Sequence, residues 1–386
     1  MNSQGPEASA AVATTGVLPI EKVTVRLFEA PVTLHVSFGS LQVRRLCLLN
    51  VHAGGLVGRG ESWINWPSWA YAERIATITE GVAPLLTGED AFARDRVLDR
   101  LVTELLPLGR QWGAPGPIWQ AISAVDMALW DLAAQTAQTS LGGLLSEHPR
   151  SNVPVYASGI GPNDVSSLVE RALAEGFTAA KVKIGFGAER DRAILTEARD
   201  ASGGGLRLFV DANRAWTLEE AKGMADTLTS FGAEWCEEPL ADDDPRALDQ
   251  LFEATGIPLA LGENVYGTDA AHRYMESTGI QHFQPDISKT GGISMGLRFA
   301  ALAAERKCHI TPHSYGSAFT VLSSAQFSAA IEQLGWLELD VRDNPFRTQI
   351  LDRPLRIVDG HLEVPNGVGL GLAIDEDALS SFEVAV

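Results

Sequence analysis

Cysteine is scarce in this chain. Its three cysteines, Cys47, Cys236 and Cys308, lie far apart and form no C-x-x-C pair. That excludes a disulfide framework and a thiolate zinc site, and leaves reduced thiols in a cytoplasmic protein as the expectation. Long apolar runs are missing too: no stretch of about 18 apolar residues occurs, so an ordinary transmembrane helix is excluded and no membrane partner is expected. Residues 1–17, rich in Ala, Ser, Thr and Gly, lack a basic region followed by an apolar core. They are therefore no secretory signal and are expected to be disordered. Positive charge is in short supply, with 30 Lys and Arg against 49 Asp and Glu, a net charge of −19 and no basic run. Phosphate binding needs a basic face, so nucleic acid is excluded as a partner. The same surplus repels an anionic substrate, and a carboxylate could be held only where a metal ion or clustered lysines overcome that field.

What is present is ordinary for a globular protein: 45% hydrophobic and 20% charged residues. At 386 residues the chain can bury one large barrel core and a smaller companion domain. Lys22–Phe28, Leu41–Val51 and Leu56–Glu61 are Val- and Leu-rich and bounded by turn residues, the pattern of strands. Tyr71–Leu86, Phe92–Leu105 and Pro117–Ala137 carry apolar residues at three- and four-residue spacing, which predicts helices. This first part reads as α+β. After Val153 the pattern changes to eight short apolar runs, VPVYAS, AAKVKIG, LRLFVDA, EWCEEPL, LALGEN, HFQPDIS, HITPHS and GWLELD. Each is separated from the next by enough chain for a helix, which predicts a (β/α) barrel.

Polar residues fall at one place in these runs. Asp211, Glu237, Glu263, Asp286, His313 and Glu338 each stand at the carboxyl end of a run, 23 to 27 residues apart. Strand ends of that kind converge on one rim of a barrel, where active sites are built. Asp211, Glu237 and Glu263 come from successive strands, so three carboxylates would meet and repel unless a cation lies between them. An all-oxygen set suits Mg²⁺ better than zinc; a structural network with Lys or Arg is the alternative. Lys181 and Lys183, two apart on a strand, point to the same face. Each ammonium should lower the other's pKa and give an amine that acts as a base near neutral pH. Asp286 beside His313 can fix the imidazole's tautomer, as an orienter does for a base. Glu338 could hydrogen-bond a substrate carboxylate if it is protonated or bridged, although Asp340 shares its strand face.

These residues and their wording (KVKIG, VDAN, CEEP, GEN, PDISKTGG and the closing NGVGLGL) resemble the enolase superfamily, and within it the mandelate racemase subgroup. The resemblance covers nearly the whole chain, including the helix AISAVDMALWDLA. It implies a (β/α)7β barrel over residues 150–355. It also implies an N-terminal α+β capping domain over 18–145, completed by 356–386. It makes Asp211, Glu237 and Glu263 the Mg²⁺ ligands, Lys183 and His313 the bases, and Glu238 a supporting residue behind the first Glu of CEEP. In the muconate-lactonizing subgroup a Lys takes the place of Asp286, so the Asp/His pair favours the racemase-like branch. The implied reaction is abstraction of the proton alpha to the carboxylate of a small-molecule substrate, in a homo-oligomeric enzyme. Dehydration of an acid sugar is favoured, with racemisation or epimerisation of a 2-hydroxy acid as the alternative and a non-catalytic carboxylate-binding protein as the reading of another class. Capping loops in this family set specificity, which points to Thr33–Ser40 and to Ser62–Trp69. Trp63, Trp66 and Trp69 of the second segment can face a sugar ring, an aromatic substrate or only one another.

Overall fold

The computed structural model describes residues 16–36, 39–67, 69–242 and 244–385. Strands β1 (Lys22–Val36), β2 (Gly39–Ala53) and β3 (Leu56–Ser62) form an antiparallel meander. The loop expected at Thr33–Ser40 is instead the tip of the β1–β2 hairpin, where Val36 pairs with Gly39; residues 37 and 38 lie outside the described residues. The disorder expected at the N-terminus falls almost wholly on residues 1–15, also outside them. The far end of the chain returns to this sheet, where β14 (Glu383–Val384) pairs antiparallel with Leu27 and Phe28.

The helix Pro115–Thr136 lies across the sheet and is buried on nearly every side, which explains why its sequence is apolar all round instead of amphipathic. One face meets β3 at two glycines. A Cβ at Gly58 would stand 2.1 Å from the Ala128 carbonyl oxygen and one at Gly60 1.9 Å from that of Ala124, so only glycine permits this approach. The opposite face meets the barrel helix Gly292–Arg306. There the buried Asp126 accepts hydrogen bonds from Ser294 N (2.8 Å) and Oγ (2.5 Å), and Trp130 Nε1 donates to the same hydroxyl at 2.9 Å. The helix is thus a shared wall between cap and barrel.

Eight parallel strands make the barrel: β4 (Asn152–Ile160), β5 (Ala179–Lys183), β6 (Arg207–Asp211), β7 (Ala233–Glu237), β8 (Leu259–Leu261), β9 (Ile280–Phe283), β10 (His309–Ile310) and β11 (Leu337–Asp340). They correspond one to one with the eight apolar runs. Neighbours pair from β4 to β10, and β11 pairs with β4. The gap between β10 and β11 is bridged by Gly335 N to Ile310 O (2.8 Å) and Glu338 N to Pro312 O (3.2 Å). Among the described residues seven helices connect these strands, and all but Val165–Ala174 are side-chain capped or led by a glycine; Thr217, for example, forms a capping box with Glu220 at Leu218–Ser230. The hairpin of β12 (Ile357–Val358) and β13 (His361–Glu363) hangs antiparallel on the start of β4. Among the described residues no helix is long and apolar enough to cross a membrane.

Gly60→Ala should cost about 3 kcal/mol, the upper end of overpacking penalties, because backbone on the helix side must move. Urea unfolding measures it, and an unchanged midpoint would contradict the packing described.

Candidate active site

β5 delivers both lysines to the barrel's carboxyl end, and the register sets their partners: Lys183 lies directly beside Asp211, which lies beside Glu237. Lys183 Nζ is 2.5 Å from Asp211 Oδ2. Lys181, fully buried, places Nζ 2.7 and 2.8 Å from the two oxygens of Glu237 and 3.0 Å from Glu338 Oε1. Gln284 Nε2 donates to Glu237 Oε2 at 2.5 Å, and Asn213 N to Asp211 Oδ1 at 2.7 Å. Beyond β8, Glu263 accepts from Lys289 Nζ at 3.2 Å and stands 2.8 Å from His313 Nε2. The other imidazole nitrogen, Nδ1, is 2.6 Å from Asp286 Oδ2. Asp286 is held in turn by Ser288 N (2.7 Å) and Oγ (2.6 Å).

The carboxylates of Asp211, Glu237 and Glu263 reach one rim, each drawn to a cation of the chain: Lys183, Lys181 and the Lys289–His313 pair respectively. Among the described residues no three acids, histidines or cysteines stand ready as a metal-holding group. Two expectations change here. The paired lysines were expected to depress one another. Burial works hardest against the Lys183 ammonium and Lys181 adds to it, but Asp211 and Glu237 together outweigh them, and the pKa is raised. Lys181 behaves alike: burial opposes its charge, and Glu237 and Glu338 hold it well above the ordinary value. Glu338 is held toward its ionised form, which leaves only the bridged route of the two expected for it. Despite burial, Lys181 and His313 pull it down to about 2, so it can accept hydrogen bonds but not donate one.

His313 is likewise held as an imidazolium, since Glu263, Glu338 and Asp286 overcome its burial. Burial, and next the adjacent Asp211 carboxylate, push Glu237 up to about 8 against the pull of Lys181. Glu238 sits behind, 3.0 Å from Arg214, with Asn264 Nδ2 at 3.3 Å. Asp340 leaves the site altogether. It is buried against Arg44 of the cap, Nη2 to Oδ2 2.7 Å.

Lys183, Glu263, His313 and Glu338 line one cavity together with Trp63, Trp66, Tyr315 and Arg342, with an empty volume of about 600 Å³ including its mouth. Trp63 also lies over the Lys289 ammonium, 4.4 Å from its centroid, whereas Trp69 is 72% exposed and takes no part. The residues missed in the sequence differ in how visible they were. Lys289 and Tyr315 lie three and two residues past Asp286 and His313 and could have been followed along the strand ends. Arg44 carries no local signal.

The fold and this ring of paired acids and bases define a capped barrel enzyme. Residues 164–378 match the family model described as enolase C-terminal domain-like, and residues 22–146 match that of the mandelate racemase / muconate lactonizing enzyme N-terminal domain. A D-galactarolactone cycloisomerase of Agrobacterium fabrum is 32% identical over 80% of this chain and 85% of its own. An arabinonate dehydratase of Saccharolobus solfataricus is 30% identical over 85% and 88%. Among solved structures, a mandelate racemase/muconate lactonizing enzyme from Bordetella bronchiseptica superposes with a TM-score of 0.86 at 32% identity, covering 95% of this chain and 99% of that one. A Bradyrhizobium enolase complexed with magnesium and mandelic acid superposes at 0.83 with 25% identity, over 96% and 100%. The chain belongs to the mandelate racemase / muconate lactonizing enzyme family of the enolase superfamily.

Arg44→Met removes the nearer of the two arginines beside the buried Asp340 carboxylate, leaving Arg347 at 3.9 Å, and should cost about 3 kcal/mol, with much of it recovered in Arg44→Met/Asp340→Asn. Urea midpoints of the three proteins check this; equal stability of both variants would refute the pairing's role.

Proposed function

We propose that this enzyme removes the proton alpha to the carboxylate of a sugar-derived acid and expels the hydroxyl of the beta carbon, forming a 2-keto acid. The observation that carries the reading is that Lys183 and His313, from β5 and from the end of β10, line the same cavity. Relatives that act as a dehydratase and as a cycloisomerase on sugar-derived molecules support it.

The donors on this rim fit Mg²⁺: Asp211, Glu237 and Glu263 offer hard oxygen ligands from the ends of three neighbouring strands. When bound by those three residues, Mg²⁺ supplies positive charge against the charge that builds on the substrate carboxylate. The chain's own residues do the rest. Lys181, buried and charged, adds a fixed ammonium on the same side. Lys183 takes the alpha proton after giving up its own, a loss that its pairing with Asp211 opposes for as long as that contact lasts. His313 has its Nδ1 tied to Asp286, so Nε2 faces the cavity and can give its proton to the departing hydroxyl. Trp63 and Trp66 narrow the mouth and limit water.

Racemisation is the second reading, favoured by the same placement of two proton-transfer groups on different walls. Incubation with Mg²⁺ and a panel of acid sugars separates the outcomes. A 2-keto product marks dehydration; alpha-hydrogen exchange in D₂O without loss of substrate marks racemisation; a rearranged isomer marks cycloisomerisation. Lys183→Ala and His313→Ala should each lower dehydration by about 10²–10⁴-fold. Wild-type rates in both variants would refute their roles, and no turnover of any carboxylate would favour a binding protein. Glu237→Gln should weaken Mg²⁺ binding about 10–100-fold in calorimetric titration. Unaltered affinity would remove Glu237 from the ligand set.

A further inference from the structure

Glu61, the penultimate residue of β3, takes no part in the chemistry above, yet it is buried at the join of cap and barrel. Among the described residues its partners are neutral donors, all from the turn that opens the helix Ala318–Ala330. Ser317 offers N (3.0 Å) and Oγ (2.6 Å), and Thr320 offers N (3.2 Å) and Oγ1 (2.6 Å). A carboxylate with charge-assisted bonds to a helix's first turn is strongly held. The fit is close, since a Cβ on Gly316 would come 2.8 Å from Glu61 Oε1.

This turn begins four residues beyond His313, at the other end of the loop that carries it. The next two cap residues grip the neighbouring loop and the cap itself. Trp63 N donates to Ser288 O at 3.3 Å, two residues past Asp286, and Ser62 Oγ donates to Gln120 O at 2.8 Å. Glu61 and Trp63, either side of Ser62 on one cap strand and its exit, therefore hold the loops of both members of the Asp286–His313 pair. Imidazole placement matters because a displacement of about 1 Å at a reacting group can cost on the order of 10²-fold in rate.

We propose that Glu61 is a positioning residue of the Asp286–His313 pair: by tying the end of β3 to the Ser317–Thr320 turn it fixes where His313 stands in the cavity and makes the Trp63–Trp66 segment and His313 move as one body. Glu61→Gln tests this with little change of volume. Its amide keeps one acceptor but turns an NH₂ toward N–H and O–H donors, so part of the set is lost.

Hydrogen exchange by mass spectrometry on the full chain, without substrate, is the primary test. In Glu61→Gln the amides of 286–291 and 313–322 should exchange about tenfold faster or more through local opening, while those of 179–185 and 207–213 keep the wild-type rate. Uniform acceleration, or no change at 313–322, overturns the proposal. Thr320→Val removes one donor and should show the same pattern at smaller amplitude; it decides the matter if Glu61→Gln does not fold.

The kinetic test rests on the proposed reaction. For an acid that exchanges its alpha proton in D₂O, Glu61→Gln should slow the His313-dependent exchange about 10- to 100-fold. KM should stay within about threefold. The exchange that survives in His313→Asn, which is due to Lys183, should be spared. Equal loss of both overturns the positioning role. The local hydrogen-exchange pattern in a chain that turns over no carboxylate would refute the proposed reaction and leave the coupling standing.

Discussion

Asp211, Glu237, Glu263, Asp286 and Glu338 all reach the mouth of one barrel, and two like charges about 4 Å apart repel by about 4 kcal/mol at an effective dielectric near 20. Domains are stable by only about 5–15 kcal/mol, so the molecule cannot leave such a ring unbalanced. It supplies cations from neighbouring strands: Lys183 for Asp211, Lys181 for Glu237 and Glu338, Lys289 for Glu263, and His313 between Glu263 and Asp286. The same pairing that makes the rim stable sets its chemistry. It keeps Lys181 and His313 charged and Glu338 ionised, and it gives a carboxylate substrate a cluster of positive charge inside a protein whose net charge is −19.

The rest of the fold serves to hold this ring in register. The helix Pro115–Thr136 is packed so tightly on β3 that two glycines are required, and its other face is bonded to the barrel helix that follows Asp286. Arg44 crosses from the cap to Asp340 at the end of β11, and Glu61 crosses to the helix after His313. Cap and barrel are thus joined by buried polar contacts beside the strands that carry the reacting groups. The aromatic side of the cavity, Trp63 and Trp66, is anchored to the same frame as the imidazole.

Much of this was legible in the sequence because barrel strands are covered on both faces and read as short, continuous apolar runs. The first charged residue after each run then marks the rim, which is how Lys183, Asp211, Glu237, Glu263, Asp286, His313 and Glu338 could be picked out. What could not be read was which acid sits beside which base. Lys183 lies in register with Asp211 and is held charged, so counting two adjacent lysines predicted the wrong direction for its pKa. Glu338 was taken for a possible donor because Lys181, two strands away round the ring, was not visible as its partner. Arg44 and Glu61 contact residues about 300 and 256 positions away. No spacing rule connects such pairs. The hairpin tip at Thr33–Ser40 looked like a loop because turn residues within long strands resemble those that end them.

The most direct test of the account is a crystal structure with Mg²⁺ and an acid that the enzyme binds. The substrate's alpha carbon should then lie between Lys183 Nζ and His313 Nε2, at about 3–3.5 Å from the group that takes its proton, with Asp211, Glu237 and Glu263 on the metal. A bound acid whose alpha carbon lies away from both groups, or a metal held by other residues, would contradict it.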